Sequence, residues 1–485
     1  MLANLITSSG MNVYRATLQF LFNAALTHYL TPAEFGIVNF ILPLVTLVVL
    51  LGDFGLSTAI VRDRDLGARE AGAAFTLSIF FALLIGLAVD GSLLAFSYAN
   101  GPIRDVAPII FAFSVMPLLS LATIVPRSLV ERKLAYPEIA AVEAAAISIG
   151  AVCGLVCALR GAGAWSLVVF HLSTQLIRFI GFFVRSRADI RFNLRWALTR
   201  RLLSFGGWVF GSSLLTFLFR NGDNIIIGAM LGSAALGAYS FAYQFILLPL
   251  MILTWPASGV LLATFSRDRL DIVKARKIVG SVVCLTALVT FPAAAFIVVE
   301  GPEVLYYVLG PRWQVAAQIA AILAPIGALQ SLSSYVGPIL LLRGWAKPLF
   351  LLNLSTTIST LLLFVAVSWF GLGIVELCWA YLVFSAIVFT GILVLMFCTL
   401  GMRWSSVVDA LWVPCLASIL SATSALIAKW LHSESFSVSG LICSSLAFAA
   451  VTILTFILHK SVILRHLASV VGVGRKSIAA AGSAP

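Results

Sequence analysis

Charged residues are scarce in this sequence. Only 10% of its 485 residues are Asp, Glu, Lys or Arg, whereas 61% are hydrophobic. A water-soluble domain carries about a quarter charged residues. A chain with so few charged groups cannot cover a wetted surface, so most of it must contact lipid or other apolar helices. This composition excludes a soluble enzyme or a soluble binding domain.

Acidic residues and cysteine are also rare. The chain has 19 acidic residues against 31 basic ones, and its net charge is +12. In a membrane protein such an excess marks cytoplasmic loops, and no soluble segment combines basic with exposed aromatic residues as nucleic-acid binding requires. The seven cysteines lie in or beside apolar runs and lack the spacing of zinc ligands, so we interpret them as small core residues. We therefore expect no metal ion, no cofactor and no nucleic-acid partner.

Long apolar runs dominate the sequence. Strand-like alternation is absent, and runs of about 18–25 residues cross a bilayer as helices rather than as barrel strands. The first run shows no cleavable signal, so we expect it to be retained as a span. The sequence predicts an all-α polytopic membrane protein with about fourteen transmembrane helices. The predicted spans are residues 9–30, 35–58, 72–96, 105–127, 137–158, 162–184, 202–230, 234–263, 278–299, 314–342, 348–370, 373–399, 407–430 and 437–458.

The positions of the basic residues support this count, because cytoplasmic loops are rich in Lys and Arg. With the N-terminus inside, every second loop carries basic residues, and the loop between the sixth and seventh spans holds six arginines. A wrong count of spans would scramble this alternation. Both termini are therefore predicted to face the cytoplasm. The outer loops hold only Arg104, Arg160, Arg312 and Lys429.

The two halves of the chain repeat each other. Gly36 in LTPAEFGIVNF coincides with Gly237 in LGSAALGAYSF, and Phe40 coincides with Phe241, both at an offset of 201. Further along, ERKLAYP in the first half aligns with LRGWAKP in the second half at an offset of 211. Because each unit has six spans, both enter the membrane from the same side. The repeat predicts two parallel six-helix lobes with a binding site between them.

The repeat also predicts the domain organisation. The last two spans have no counterpart in it, so we interpret them as an accessory pair. The predicted parts are an N-lobe at residues 1–185, a basic cytoplasmic linker at 186–201, a C-lobe at 202–400, accessory spans at 401–460 and a cytoplasmic tail at 461–485.

Three motifs resemble a known family of membrane transporters. They are YLTPAEFGIVNF (Tyr29 to Phe40), LGDFGLSTAIVR (Leu51 to Arg62) and RNGDNIIIGAMLGSAALGAYSFAYQFILLP (Arg220 to Pro249). In order and spacing they are similar to Wzx-type polysaccharide flippases of the multidrug/oligosaccharidyl-lipid/polysaccharide exporter superfamily. The colanic-acid and exopolysaccharide branch is the most similar.

The resemblance implies a transporter, not an enzyme, with two lobes around a hydrophilic cavity. It would move a polyprenyl-diphosphate-linked oligosaccharide repeat unit from the cytoplasmic to the periplasmic leaflet of a bacterial inner membrane, for exopolysaccharide or lipopolysaccharide biosynthesis. The implied partners are this lipid-linked sugar, the bilayer, and a polysaccharide polymerase or export machinery. Members of this family often have twelve spans, so the two extra spans depart from its pattern.

Such a flippase needs cationic groups for the diphosphate and polar side chains for the sugars. Charges at bilayer depth are costly, so they are candidates for function. Arg15, Gln19 and Asn23 form one polar stripe in the first span, and a polar cluster begins at Arg220 in its repeat counterpart. The predicted substrate-binding residues are Arg15, Gln19, Asn39, Arg220, Asn221, Asp223, Asn224, Tyr243 and Gln244, and Glu143 and Glu376 are candidates for coupling to H⁺ or Na⁺.

Each candidate also has a structural interpretation. Arg15 and Arg178 lie in the cytoplasmic halves of their spans and can extend to lipid headgroups. For Arg178 we favour this interpretation. Arg220 and Asp223 are three residues apart and can form an ion pair on one helix face. His171 is interpreted as a packing residue.

Two rival functions stay open. A cation-coupled drug or small-molecule exporter of the same superfamily would favour buried carboxylates, whereas Arg15 and Arg220 favour an anionic substrate. Glu143 and Asp223 keep the exporter compatible with the sequence. A membrane polysaccharide polymerase would need a large external loop to hold the glycan, and the predicted outer loops are short.

Overall fold

The fold is known from a computed structural model. It describes residues 2–62, 67–99, 107–133, 135–186, 196–254, 257–258, 261, 272–432 and 438–468, and within these ranges no residue is in a β-strand. The chain divides into two compact units, unit 1 at Met1–Gly237 and unit 2 at Ala238–Pro485.

The described part of unit 1 is built from long helices. They are α1 (Leu2–Leu26), α2 (Pro32–Asp53), α3 (Leu56–Arg62), α4 (Ala68–Ala99), α5 (Ala107–Arg132), α6 (Tyr136–Leu159), α7 (Trp165–Ser186) and α8 (Trp196–Met230). Helix α9 (Ser233–Pro249) starts in unit 1, continues into unit 2 and ends in a π-helical turn at Leu250–Thr254.

Unit 2 is helical in the same way. Its described helices are α10 (Ile272–Val299), α11 (Gly301–Leu309), α12 (Gln314–Ser333), α13 (Val336–Leu342), α14 (Ala346–Trp369), α15 (Ile374–Leu400), α16 (Trp404–His432) and α17 (Val438–Leu458).

These helices confirm a polytopic membrane protein. Within the described residues, ten helical stretches are long and apolar enough to cross a membrane. Each of the fourteen predicted spans falls on at least one helix, although the count of fourteen crossings and the arrangement of the lobes stay predictions.

Helix α2 shows how the local sequence sets helix limits. The Thr31 hydroxyl accepts the N–H of Glu34, and the Glu34 carboxylate accepts the N–H of Thr31 at 2.7 Å, so two N–H groups at the helix start are satisfied reciprocally. The helix ends at Asp53, and the next residue, Phe54, has a left-handed φ of 43°. The predicted span 35–58 is therefore broken near its end, and α3 begins after the break.

Glycines allow α6 and α7 to pack closely. A Cβ on Gly150 would lie 2.0 Å from Thr174 Oγ1, and a Cβ on Gly154 would lie 3.0 Å from the Ser166 carbonyl oxygen. In lipid, helices associate through close packing of small residues, because burial of apolar surface adds little there. These contacts hold α6 against α7 and determine which of their polar side chains meet.

The two glycines matched by the repeat meet at one helix crossing in unit 1. A Cβ on Gly36 would lie 1.6 Å from the Ser233 carbonyl oxygen, and a Cβ on Gly237 would lie 1.8 Å from that of Pro32. No side chain fits at either position, so the first turns of α2 and α9 are in backbone contact. The sequence match between Gly36 and Gly237 thus marks a shared packing requirement.

Basic residues at one end of unit 2 cap a helix. The Arg276 side chain on α10 donates to the Leu400 carbonyl oxygen, and Arg343, which follows α13, donates to the Thr399 carbonyl oxygen. The last carbonyl groups of a helix carry partial negative charge and lack partners within the helix. Two of the arginines predicted only as cytoplasmic loop charges therefore also stabilise the C-terminal end of α15.

At the other end of α10, a buried ion pair joins α10 to α16. Glu300 is fully buried, and its carboxylate lies 3.3 Å from the Lys429 ammonium. Lys429 also donates to the Val299 carbonyl oxygen at 2.8 Å and to Glu303 Oε1 at 2.9 Å. Neither Glu300 oxygen has a hydrogen bond within the described part of the chain, so the ammonium is what offsets its charge.

Candidate functional site

A buried ion pair lies between α6 and α7 in unit 1. Glu143 on α6 is 5% exposed. Arg178 on α7 donates from Nε to Glu143 Oε2 at 2.9 Å, and its Nη2 lies 2.9 Å from the same oxygen. Its Nη1 donates to Gln175 Oε1 at 3.3 Å. The guanidinium is thereby fixed in one orientation.

Two further arginines surround this pair. Arg127 on α5 places Nη1 3.8 Å from Glu143 Oε1, and Arg15 on α1 is near enough to repel Arg178 electrostatically. Arg178 and Arg127 both lie beside the Glu143 carboxylate, and the exposed Arg15 adds a further positive charge nearby. We call Arg15, Arg127, Glu143 and Arg178 the cationic cluster. Because guanidinium forks match oxyanions, it can bind a phosphate-like anion.

The side chains of the polar stripe on α1 differ in exposure. Arg15 is exposed, Gln19 is half-buried and Asn23 is buried. Helix α1 packs on α6, and Tyr14 shares a 2.8 Å hydrogen bond with Ser148 of that helix. The structure therefore brings Arg15 into the cationic cluster and directs Asn23 into the helix packing.

The α8 candidates are largely engaged close to their own backbone. Asn221 donates to the Phe217 carbonyl oxygen at 3.1 Å, and the Asn224 N–H donates to Asp223 Oδ1 at 2.8 Å. Arg220 is exposed. Asn39 on α2 is half-buried.

In unit 2, the α9 candidates belong to an aromatic group. Tyr243 stacks on Tyr239 with ring centroids 5.6 Å apart, and Tyr239 meets Phe364 of α14 edge-on at 6.2 Å. Gln244 and Tyr243 are half-buried. Glu376 is exposed in the first turn of α15, where the partial positive charge of a helix N-terminus favours a carboxylate.

Comparison with protein families agrees with this architecture. A family model described as "Polysaccharide biosynthesis protein" matches residues 25–318, more than half of the chain. The chain belongs to this family.

Two curated relatives also carry names that refer to polysaccharide biosynthesis. The chain is 25% identical over 335 residues to lipopolysaccharide biosynthesis protein WzxC of Escherichia coli (strain K12), covering 67% of this chain and 66% of that protein. It is 27% identical over 311 residues to succinoglycan biosynthesis transport protein ExoT of Rhizobium meliloti (strain 1021), covering 63% and 62%. The matched part spans just under two thirds of both relatives.

Solved structures show the fold to which this family member is similar. Lipid II flippase MurJ in an inward closed conformation matches with a TM-score of 0.73 at 12% identity, covering 96% of this chain and all of that one. An inward-facing multidrug resistance MATE family transporter of the MOP superfamily matches with a TM-score of 0.55 at 16% identity, covering 80% and 98%. At these identities the likeness establishes the transporter fold alone.

Sequence reasoning missed the partnership at the centre of the cationic cluster. The sequence predicts Glu143 as a coupling carboxylate and Arg178 as a residue that extends to headgroups, whereas the structure joins the two. Opposite charges at bilayer depth in neighbouring predicted spans are the signal that points to such a pair. His171 matches its packing interpretation, since its ring lies 6.1 Å from that of Phe113 on α5.

Proposed function

We propose that this protein flips a polyprenyl-diphosphate-linked oligosaccharide from the cytoplasmic to the periplasmic leaflet of a bacterial inner membrane by alternating access. The observation that carries the proposal is the cationic cluster, in which Arg15, Arg127 and Arg178 outnumber the single carboxylate of Glu143. A substrate diphosphate supplies the opposite charge. The names of the relatives, in lipopolysaccharide and succinoglycan biosynthesis, support a polysaccharide precursor as cargo.

Within this proposal, the cationic cluster binds the diphosphate. Glu143 positions Arg178, and the two remaining guanidinium groups are left for the phosphate oxygens. The polar residues predicted from the sequence contact the sugars. These residues are Gln19, Asn39, Asn221, Asp223, Asn224, Tyr243 and Gln244, and Arg220 is a further candidate for the phosphate oxygens.

Coupling to H⁺ or Na⁺ is part of the proposal and has two candidate carboxylates. Glu143 is paired with Arg178, so it would bind a cation only in a state in which that pair opens. Glu376 is exposed and does not depend on such an exchange. A polymerase or export partner would receive the sugar on the periplasmic side.

The rival exporter of cationic drugs has weaker support. A cationic drug requires a buried carboxylate whose charge is not already neutralised. The Glu143 carboxylate lies 2.9 Å from the Arg178 guanidinium and has a second arginine beyond it. The cluster therefore repels a cation and attracts an anion.

The test is a flipping assay with the full chain in lipid vesicles. Undecaprenyl-diphosphate-linked oligosaccharide is added to one leaflet, and its arrival in the other is measured by oxidation with membrane-impermeant periodate. We expect transfer with the native protein, and a loss of about tenfold or more in Arg15→Gln, because a charge-assisted hydrogen bond contributes about 1.5–3 kcal/mol.

The matched control is Arg160→Gln, an exposed arginine that follows α6, for which we expect native transfer. No transfer by the native protein, together with export of cationic drugs by the same vesicles, would establish the rival function.

A further inference from the structure

A groove separates α14 from α15 within unit 2. It has a volume of about 270 Å³, well above the roughly 10–15 Å³ of such volume that one water molecule needs. Ser355, Thr356 and Ser359 line it on α14, and Phe384 and Gly391 are among the residues that line it on α15. The groove lies outside the cationic cluster, which belongs to unit 1.

The groove exists because α14 and α15 do not pack together as their repeat counterparts do. In the most apolar stretch of α14 only 11% of the residues are buried, against 33% for α6. Gly150 and Gly154 close the space between α6 and α7, whereas a Cβ on Gly391 would meet nothing within 4 Å. The space beside Gly391 is open in unit 2.

Hydroxyl groups along α14 mostly use their protons inside the helix. Ser355 donates to the Leu352 carbonyl oxygen at 3.0 Å, Thr356 donates to that of Asn353 at 2.9 Å, and Thr360 donates to that of Thr356 at 2.8 Å. This bonding allows a hydroxyl to sit in a membrane helix without a further partner.

Two residues of α14 are different. One is Ser368, whose Oγ has no hydrogen bond among the described residues and lies outside the groove, and the other is Ser359. Its hydroxyl lines the groove and makes no hydrogen bond with any described residue. Residue 359 is also the midpoint of the predicted span 348–370, where water is scarce. Ser359 is exposed in the groove, so its hydroxyl can donate to and accept from a polar ligand there.

The chemistry of the lining selects the ligand. None of the side chains that line this groove is charged, so nothing there offsets the charge of a diphosphate. A polyprenyl chain would leave the Ser359 hydroxyl without a partner. A sugar fits both sides of the groove. Its hydroxyl groups can bond with Ser359, Ser355 and Thr356 on α14, and its C–H face can pack on Phe384 of α15.

We infer that this groove binds the neutral glycan of the lipid-linked oligosaccharide, with Ser359 as its hydrogen-bonding residue. The inference rests on the proposed function and adds a specificity site to it.

The experiment measures binding of two lipids to the purified full chain in nanodiscs. One is undecaprenyl-diphosphate-linked oligosaccharide, and the other is undecaprenyl diphosphate without sugar. Ser359→Ala removes the hydroxyl, and Gly391→Leu fills the groove. We expect Ser359→Ala to weaken binding of the glycan-bearing lipid about three- to tenfold and Gly391→Leu to weaken it more, with the sugar-free lipid unchanged in both.

Two matched controls separate this effect from general damage. Gly337→Leu adds the same side chain on α13, where a Cβ also meets nothing within 4 Å. Thr360→Val removes a hydroxyl that is bonded within α14 and does not line the groove. Both are expected to bind the glycan-bearing lipid as the native protein does, and the thermal midpoint of every variant is recorded to confirm folding.

Three outcomes contradict the inference. Equal weakening of both lipids by Gly391→Leu would assign the groove to the polyprenyl chain. Native binding of both lipids by Ser359→Ala and Gly391→Leu would remove the groove from the site. If the native protein binds neither lipid above a phosphatidylcholine control, the proposed function itself fails, and that result differs from the first two.

Discussion

At the scale of single residues, the Glu143–Arg178 pair combines a structural and a functional role that can be separated. Removing one member of a buried pair leaves the other charge uncompensated and costs about 3–5 kcal/mol. Arg127 remains 3.8 Å from Glu143 and will offset part of that cost in Arg178→Met. The exposed pair Arg185–Glu138 joins the same two helices at 3.4 Å, and such pairs contribute about 0–1 kcal/mol.

We therefore predict that Arg178→Met lowers thermal stability much more than Arg185→Met. The double variant Glu143→Gln, Arg178→Met is predicted to regain most of the lost stability, because no buried charge is left alone, yet to remain inactive in flipping. Thermal unfolding in detergent and the vesicle assay measure the two effects. Flipping that returns together with stability would show that the pair serves packing only.

At the scale of helices, the ion pair between Lys429 and Glu300 joins α16 to the end of α10. Lys429→Met leaves the fully buried Glu300 without its counter-ion, so we predict a loss of about 3–5 kcal/mol. Glu303→Gln is the control. Its carboxylate is 21% exposed and water can replace the lysine, so we predict a much smaller loss. Comparable thermal midpoints for the two variants would contradict this account.

Some features of the helices follow from residues close together in the sequence, and others depend on residues far apart. The start of α2 follows from Thr31 and Glu34, three residues apart, so a local pattern predicts it. The crossing at Gly36 and Gly237 was visible only as a sequence repeat. The contact itself depends on folding, because it joins residues about two hundred positions apart. The groove beside Gly391 had no local signal, since it reflects how far α14 and α15 diverge.

At the scale of the whole molecule, the alternation of basic loops predicts that both termini lie in the cytoplasm. A cysteine-free variant with a single cysteine at Arg160 or at Lys133, both exposed, tests this. We predict that intact cells label Arg160→Cys with a membrane-impermeant thiol reagent, and that Lys133→Cys is labelled only after permeabilisation. The reverse pattern would invert the topology and with it the proposed direction of transport.

The sequence by itself determined the membrane class, the places of the helices and the family, because each depends on composition and on motifs that are local along the chain. Folding alone decided which polar groups meet: Glu143 with Arg178, Glu300 with Lys429, and Ser359 with an open groove. The physical reason is that a membrane helix is apolar on nearly every side. Its sequence therefore does not determine how it rotates against its neighbours, and the rotation decides which side chains become partners.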